Sequence, residues 1–145
     1  MHNELIKDLG EKELIRRIAQ FMPDKQTSDD CAFIKTKTNN LLINTDLLVE
    51  HTHFTNETIE PLDLGWKAIT TNLSDLISSG CNEILGVKIG LVLTRETEWS
   101  WVQNLYKGMN LALSKFGGSI IGGDCSRGLE KVISITAFGS QGKII

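Results

Sequence analysis

The sequence is organised around one apolar run, residues 41–50, which reads LLINTDLLVE. Its length and its branched apolar side chains predict a β-strand. A shorter apolar run, residues 31–36, comes before it, and the polar residues 37–40 between the two runs predict a hairpin connection. Asp46 lies in the middle of the longer run, where a solvated carboxylate is out of place, so it is the first candidate functional residue.

Helical and strand patterns alternate along the rest of the chain. Apolar residues at helical spacing, helix-starting Pro and helix-ending Gly mark the helices, and short apolar runs mark the strands. The predicted elements are a helix within residues 1–22 broken at Gly10, strands over 31–36 and 41–50, a helix from Pro61 to Gly80, a strand over 84–93, a helix capped by Thr94 or Thr97 and ended by Gly117, a short strand over 119–121 and a last strand over 132–138. The order α-β-β-α-β-α-β-β predicts one domain of α/β (α+β) class, with a mixed sheet of four or more strands.

Composition excludes several classes of protein. The 145 residues carry 15 Lys and Arg against 18 Asp and Glu, a net charge of −3, which argues against a general nucleic-acid binder or an anionic-membrane binder. No run approaches the roughly 18 apolar residues of a membrane span, and the N-terminus is too charged for a signal peptide. Cys31, Cys81 and Cys125 are odd in number and widely spaced, which predicts reduced thiols and a cytoplasmic protein.

Five aspartates lie beside small or apolar neighbours, at the ends of apolar runs or on a helix: Asp29, Asp30, Asp46, Asp75 and Asp124. Carboxylates gathered from such positions would repel one another without a cation between them, and Mg²⁺ is held by carboxylates together with substrate phosphates. One interpretation is therefore a Mg²⁺-nucleotide site. The other is that the five are separate capping and turn residues, which is the usual role of aspartate.

The helix after Pro61 carries one of these aspartates. Asp75 lies opposite the apolar stripe of that helix, on a narrow face with Ala68 and Asn72. The helix is therefore predicted to turn one polar face away from its apolar side.

Two other segments allow a functional or a purely structural interpretation. Residues 122–128 (GGDCSRG) predict a turn whose backbone N–H groups and Arg127 could contact a phosphate, or else a plain tight turn between strands. Neither a P-loop nor a dinucleotide-binding fingerprint is present. His51 and His53 alternate as on a strand and could face one side together, but no third ligand stands at a spacing suitable for zinc.

Four segments together resemble one family, the thiamine-monophosphate kinases. They are residues 28–32 (SDDCA), 44–54 (NTDLLVEHTHF), 65–68 (GWKA) with 72–76 (NLSDL), and 122–128 (GGDCSRG), which match the family's motifs in order and in spacing. The resemblance implies the N-terminal domain of the aminoimidazole ribonucleotide synthetase-like fold, with helices on one face of the sheet and strands that form a shared barrel in a homodimer. It also implies ATP- and Mg²⁺-dependent phosphorylation of thiamine monophosphate to thiamine diphosphate.

The resemblance further implies roles for individual residues. The metal site, which holds several Mg²⁺ ions in the family, corresponds to Asp30, Asn44, Thr45, Asp46, Asp75 and Asp124. The nucleotide contacts correspond to Gly123, Asp124 and Tyr106, the substrate contact to His53, and a phosphate contact to Arg127. No side chain is needed as an acid or base, because the acceptor is already a phosphate anion.

This sequence also departs from the family's pattern. Ser28 stands where the family usually has Gly, Asn44 where it often has Ser or Thr, and Cys125-Ser126 where it commonly has Thr-Thr. Family members are much longer and carry a second α/β domain, so residues 1–145 are expected to be one N-terminal domain that is inactive alone. Two alternatives stay open: a sibling enzyme of the superfamily acting on another phosphoacceptor, and a non-catalytic dimerisation module.

Overall fold

The structure is a computed structural model that describes residues 4–23 and 31–142. Its elements are α1 (Ile6–Leu9), α2 (Glu11–Ala19), β1 (Ala32–Lys35), β2 (Asn39–Val49), α3 (Pro61–Ser78), β3 (Glu83–Leu93), α4 (Trp99–Phe116), β4 (Ile120–Arg127) and β5 (Val132–Gly142). The predicted order is confirmed. Gly10 divides the first helix as predicted, with a φ of +76° that suits glycine.

The five strands form one mixed sheet in the order β1-β2-β5-β3-β4. β3 and β4 are parallel and are connected through α4, whereas all other neighbouring strands are antiparallel. The predicted hairpin is confirmed, since Lys35 pairs with Asn40 and the Thr36 N–H donates to the Asn39 carbonyl over 2.8 Å. The predicted α/β class and the sheet of four or more strands are therefore confirmed.

The helices α3 and α4 cover one face of the sheet. α3 packs on β2 and β5, and α4 packs on α3. The two helices touch through their backbones, because a Cβ at Gly65 would run into the Leu105 carbonyl and a Cβ at Gly108 would run into the Leu62 carbonyl. The fully buried side chains lie in this layer and on the strands beneath it: Leu42, Ile69, Leu73, Leu76, Val87, Ile89, Leu105, Met109, Ile133 and Ile135.

Two predicted strand boundaries are wrong. Residues 122–127 are not a turn; they continue β4 and pair in parallel with residues 88–93 of β3. β5 runs on past residue 138 to Gly142, because residues 139–142 pair with residues 39–42 of β2. Both extensions are rich in glycine and polar residues, whose strand propensity is low, so only the partner strand makes them strands.

The predicted cap of α4 is also wrong. Glu98 occupies the position before the helix and makes no side-chain capping bond. The hydroxyls of Thr94 and Thr97 lie 2.7 Å apart and bond to each other in the preceding turn. By contrast, Gly80 follows the end of α3 with a φ of +97°, as predicted. Among the described residues, no helix is long and apolar enough to cross a membrane.

Candidate functional site

A buried polar cluster joins β2 to α3. The Asn44 side-chain N–H₂ donates to Asn72 Oδ1 over 2.8 Å and to Asp75 Oδ2 over 3.3 Å. The Asn72 side-chain N–H₂ in turn donates to the Ile135 carbonyl on β5 over 2.8 Å. Asn72 is fully buried and Asp75 half-buried. The cluster therefore holds the Asp75 carboxylate in a defined place at the end of a chain of hydrogen bonds.

This cluster corrects the predicted polar face of α3. Ala68 and Asn72 do not lie opposite the apolar side, since both are buried in the layer between α3 and the sheet. Asn44 also presents its amide nitrogen, not its oxygen, to Asp75. Asn44 therefore faces Asp75 with a hydrogen-bond donor, which stabilises the carboxylate and does not present an oxygen ligand to a metal at that side.

Asp46 lies on the same face of β2, two positions after Asn44. Two residues along a strand span about 6.6 Å, so Asp46 and the polar cluster are neighbours on the sheet. Asp46 is half-buried and lines a cavity of about 170 Å³ together with Lys67 and Thr71 of α3. Asp46 and Asp75 therefore lie on the helix-covered side of the sheet, and the motif residue Lys67 adds a positive charge beside Asp46 that sequence reasoning missed.

Thr45 and Asp124 lie on the other face of the sheet. Thr45 is exposed, and its hydroxyl lies 2.9 Å from that of Thr136 on β5. Asp124 is an exposed residue of the edge strand β4, and its Oδ1 accepts the neighbouring Cys125 N–H over 2.9 Å. Three strand spacings separate β2 from β4, about 14 Å. Within one chain, the structure therefore does not bring Asp124 together with Thr45 or Asp46.

The predicted metal site is only partly described. Asp30 and Asp29 lie outside the described residues. Within residues 4–23 and 31–142, no three His, Cys, Asp or Glu side chains converge as a metal-binding group. The donor types nevertheless fit a hard cation, because Asp46, Asp75 and Asp124 offer carboxylate oxygens and Thr45 a hydroxyl.

Tyr106 and β4 border an apolar cavity of about 600 Å³ between α4 and the edge of the sheet. Tyr106 is half-buried, and burial raises the pKa of its phenol, with a smaller contribution from nearby Cys125. The apolar walls of the cavity are formed by Leu91, Leu93 and Val102. Gly123 lies two residues before Cys125, and a Cβ there would run into the Ile89 carbonyl of β3. Sequence reasoning named Tyr106 and Gly123 but not the cavity near them, which forms only when α4 lies on the sheet.

His53 lies in a tight turn, so the predicted strand-like alternation of His51 and His53 is wrong. The backbone N–H groups of Thr52 and His53 both donate to the Val49 carbonyl, and His51 has a φ of +68°. The Val49 N–H donates to His53 Nδ1 over 2.9 Å. Because Nδ1 accepts this bond, a neutral His53 ring carries its proton on Nε2. The exposed His53 side chain therefore offers Nε2–H as a donor.

Arg127 is exposed at the end of β4.

Comparison with known proteins covers nearly the whole chain. Residues 28–141 match the family model described as "AIR synthase related protein, N-terminal domain". The chain is 48% identical to a thiamine-monophosphate kinase of Prochlorococcus marinus over 141 residues, which is 97% of this chain and 42% of that protein. It is 34% identical to a thiamine-monophosphate kinase of Synechococcus elongatus, over 96% of this chain and 42% of that protein.

A solved structure described as AaThiL complexed with AMPPCP and TMP superposes on the whole chain. Its TM-score is 0.91 at 31% identity, and the match covers 46% of that protein. The chain thus spans less than half the length of the relatives it matches. The superposition of the fold and the family match over residues 28–141 agree. The chain belongs to the family of AIR synthase related proteins and carries its N-terminal domain.

Proposed function

We propose that this chain is the ATP- and Mg²⁺-binding N-terminal domain of a cytoplasmic enzyme that phosphorylates thiamine monophosphate to thiamine diphosphate. The observation that carries the proposal is the 48% identity to a thiamine-monophosphate kinase over 97% of the chain. The superposition on AaThiL with AMPPCP, an ATP analogue, and TMP supports the same pair of substrates. The activity belongs to the whole protein, since the relatives extend well beyond the matched region.

The nucleotide is proposed to bind at the α4 edge of the sheet. The cavity between Tyr106 and Cys125 has apolar walls and a volume suited to a purine base. Gly123 and Asp124 directly precede Cys125 on β4, the strand whose outer edge has no neighbour among the described strands. Backbone groups of that edge are therefore available to the ribose or the phosphates, and Asp124 to a cation on them.

Several Mg²⁺ ions are proposed to lie between the phosphates and the carboxylates. When bound, such ions neutralise charge on the transferred phosphoryl group. Asp75 and Asp46 would hold ions on the helix-covered side, with Thr45 and Asp124 contributing from the open face, and Asp30 is proposed as a further ligand from the resemblance alone. The Asn44 and Asn72 amides fix the Asp75 carboxylate before any ion arrives.

The acceptor is proposed to contact His53. Its Nε2–H can donate to a phosphate or to the pyrimidine ring of thiamine monophosphate, and Arg127 supplies a positive charge for a phosphate. No described side chain needs to remove a proton, since a phosphate oxygen of the acceptor is already an anion. Positioning of the two substrates and neutralisation of their charge are then the tasks left to the protein.

A second copy of the chain is proposed to cover the open face of the sheet. The described helices α3 and α4 cover one face, and Ile34 and Leu47 project from the other with 49% and 57% of their surface exposed. Phe138 and Val132 lie on the same face. An uncovered apolar face of this extent is typical of an interface. Thr45 and Asp124 also point to this face, so the partner would lie against both.

Light scattering should give a dimer mass for the wild-type chain, and Leu47→Glu should give a monomer mass. A wild-type monomer at micromolar concentration would contradict the dimer.

The kinase proposal is tested by ATP- and Mg²⁺-dependent formation of thiamine diphosphate from thiamine monophosphate. The assay is run on this chain beside any longer product of its reading frame. Turnover by the longer product supports the proposal. No turnover, together with turnover of a different phosphorylated acceptor, would instead favour a sibling enzyme of the superfamily.

A further inference from the structure

A buried ion pair lies beneath the turn that carries His53. Glu50 and Lys131 expose only 8% and 4% of their surface. Lys131 Nζ lies 3.4 Å from Glu50 Oε2 and 4.7 Å from the centroid of the Trp101 ring. The Lys131 backbone N–H also donates to Glu50 Oε1 over 2.9 Å. Burying two charged groups costs desolvation free energy, which the pair recovers only when its geometry and its further hydrogen bonds are favourable. We therefore asked what structural role the pair has.

Lys131 forms hydrogen bonds with residues on both sides of the turn. Glu50 directly precedes the turn, and its backbone N–H donates to the Lys131 carbonyl over 2.9 Å. Asn56 follows the turn, and Lys131 Nζ donates to its Oδ1 over 3.0 Å. A single ammonium group therefore joins residues on the two sides of His53.

The turn in turn determines how the His53 ring is presented. The ring is held by the Val49 N–H at Nδ1, and Val49 is the residue before Glu50. His51 adopts a left-handed φ of +68°, a conformation that costs about 1 kcal/mol or more in a non-glycine residue and persists when its surroundings enforce it. Loss of the anchor at Glu50 and Asn56 would let this turn relax and would release Nδ1.

We propose that Lys131, through Glu50 and Asn56, is a positioning residue that holds the His53 turn in place and keeps the ring proton on the exposed Nε2. The consequence for thiamine monophosphate rests on the function proposed above. There, Lys131 preorganises the donor that contacts the acceptor, without touching the acceptor itself.

The first experiment measures the His53 tautomer in the 145-residue chain by nitrogen-15 NMR, with the imidazole neutral. Wild type should show the proton on Nε2. Lys131→Met, which keeps the side-chain length and removes the charge, should give a mixture of tautomers. Because that variant leaves Glu50 buried without its partner charge, the double variant Glu50→Gln with Lys131→Met is measured in parallel. Lys115→Met is the matched control, since Lys115 also lies over an aromatic ring, 5.7 Å from the Trp66 centroid, but far from the turn.

An unchanged His53 tautomer in a folded Lys131→Met or double variant would overturn the proposal. The second experiment titrates thiamine monophosphate into the complete enzyme, as wild type and with the same substitutions. If wild type binds it, binding by the Lys131 variants should be about tenfold weaker, the effect of one lost hydrogen bond, while Lys115→Met binds as wild type. If wild type does not bind it, the proposed function fails for this chain, while the NMR result still decides the role of Lys131. Unchanged binding with a disturbed tautomer would overturn the consequence for the acceptor.

Discussion

Asp75 and Asp124 are both predicted metal ligands, yet they occupy contrasting regions of the molecule. Asp75 is half-buried on the helix-covered side, where the Asn44 amide holds its carboxylate. Asp124 is exposed on the edge strand, and the described hydrogen bond of its carboxylate is the one that it accepts from the N–H of the next residue, Cys125. The first region is organised by the core itself. The second is not organised by the described contacts of the chain, and under the proposed function a nucleotide or a second chain would complete it.

The sharpest test of this contrast compares Asp75→Asn with Asp124→Asn in the complete enzyme. Each should lower the rate of thiamine diphosphate formation by about a hundredfold or more, because each removes a charge that neutralises the phosphates. Only Asp75→Asn should also change the midpoint of urea unfolding, since only Asp75 belongs to the buried cluster. Wild-type activity in either variant would remove that residue from the metal site.

The buried polar cluster around Asp75 depends most strongly on Asn72. Asn72→Ala should lower the free energy of unfolding by about 3 kcal/mol, because it leaves a small cavity and removes the buried hydrogen bonds of Asn72 with the Ile135 carbonyl and the Asn44 amide. Urea denaturation followed by circular dichroism measures this loss. Asn110→Ala, at an exposed position of α4, is the control and should change stability by less than about 0.5 kcal/mol. Equal effects of the two variants would show that the buried cluster contributes nothing.

The ion pair beneath the His53 turn predicts a pH dependence of stability. Burial acts to raise the pKa of Glu50, but the hydrogen bonds and charge of Lys131 outweigh it and hold that pKa below its usual value of 4.5. A carboxyl with a lowered pKa stabilises the fold above the unfolded value, and this contribution is lost as the pH falls through the folded value. Wild type should therefore be more stable than Glu50→Gln at pH 7, with a difference that shrinks below about pH 4.5. A constant difference from pH 7 to pH 3 would contradict the pairing.

The smallest effect concerns the exposed edge. Cys125 is exposed beside Tyr106, whereas Cys31 is 2% exposed. An alkylating reagent should therefore modify Cys125 first, as mass spectrometry of the digested protein can show. MgATP should slow that modification if the nucleotide occupies the adjoining cavity. Protection of Cys31 alone, or no protection of Cys125, would contradict the proposed nucleotide position.

Local patterns predicted most of the fold because they act over a few residues. The strand around Asp46 and the helix from Pro61 to Gly80 follow from apolar periodicity and from the conformational limits of Pro and Gly. The family motifs likewise named the acidic residues and His53. The structure confirms the elements and the class of fold, while the ligand roles of these residues stay predictions.

Tertiary structure alone decided the points on which local patterns were wrong. Residues 122–127 form a strand because β3 pairs with them, and the chain around His51 turns although its alternation resembles a strand. The strand depends on a partner strand distant in sequence. The turn is closed by hydrogen bonds among residues 49–54, and its anchor at Lys131 lies 81 residues beyond Glu50. The sequence by itself determined which segments bury apolar surface, and it predicted which residues carry the chemistry. Only the packed sheet decided which face each aspartate occupies, because a side chain's face depends on strand register and on where the helices lie.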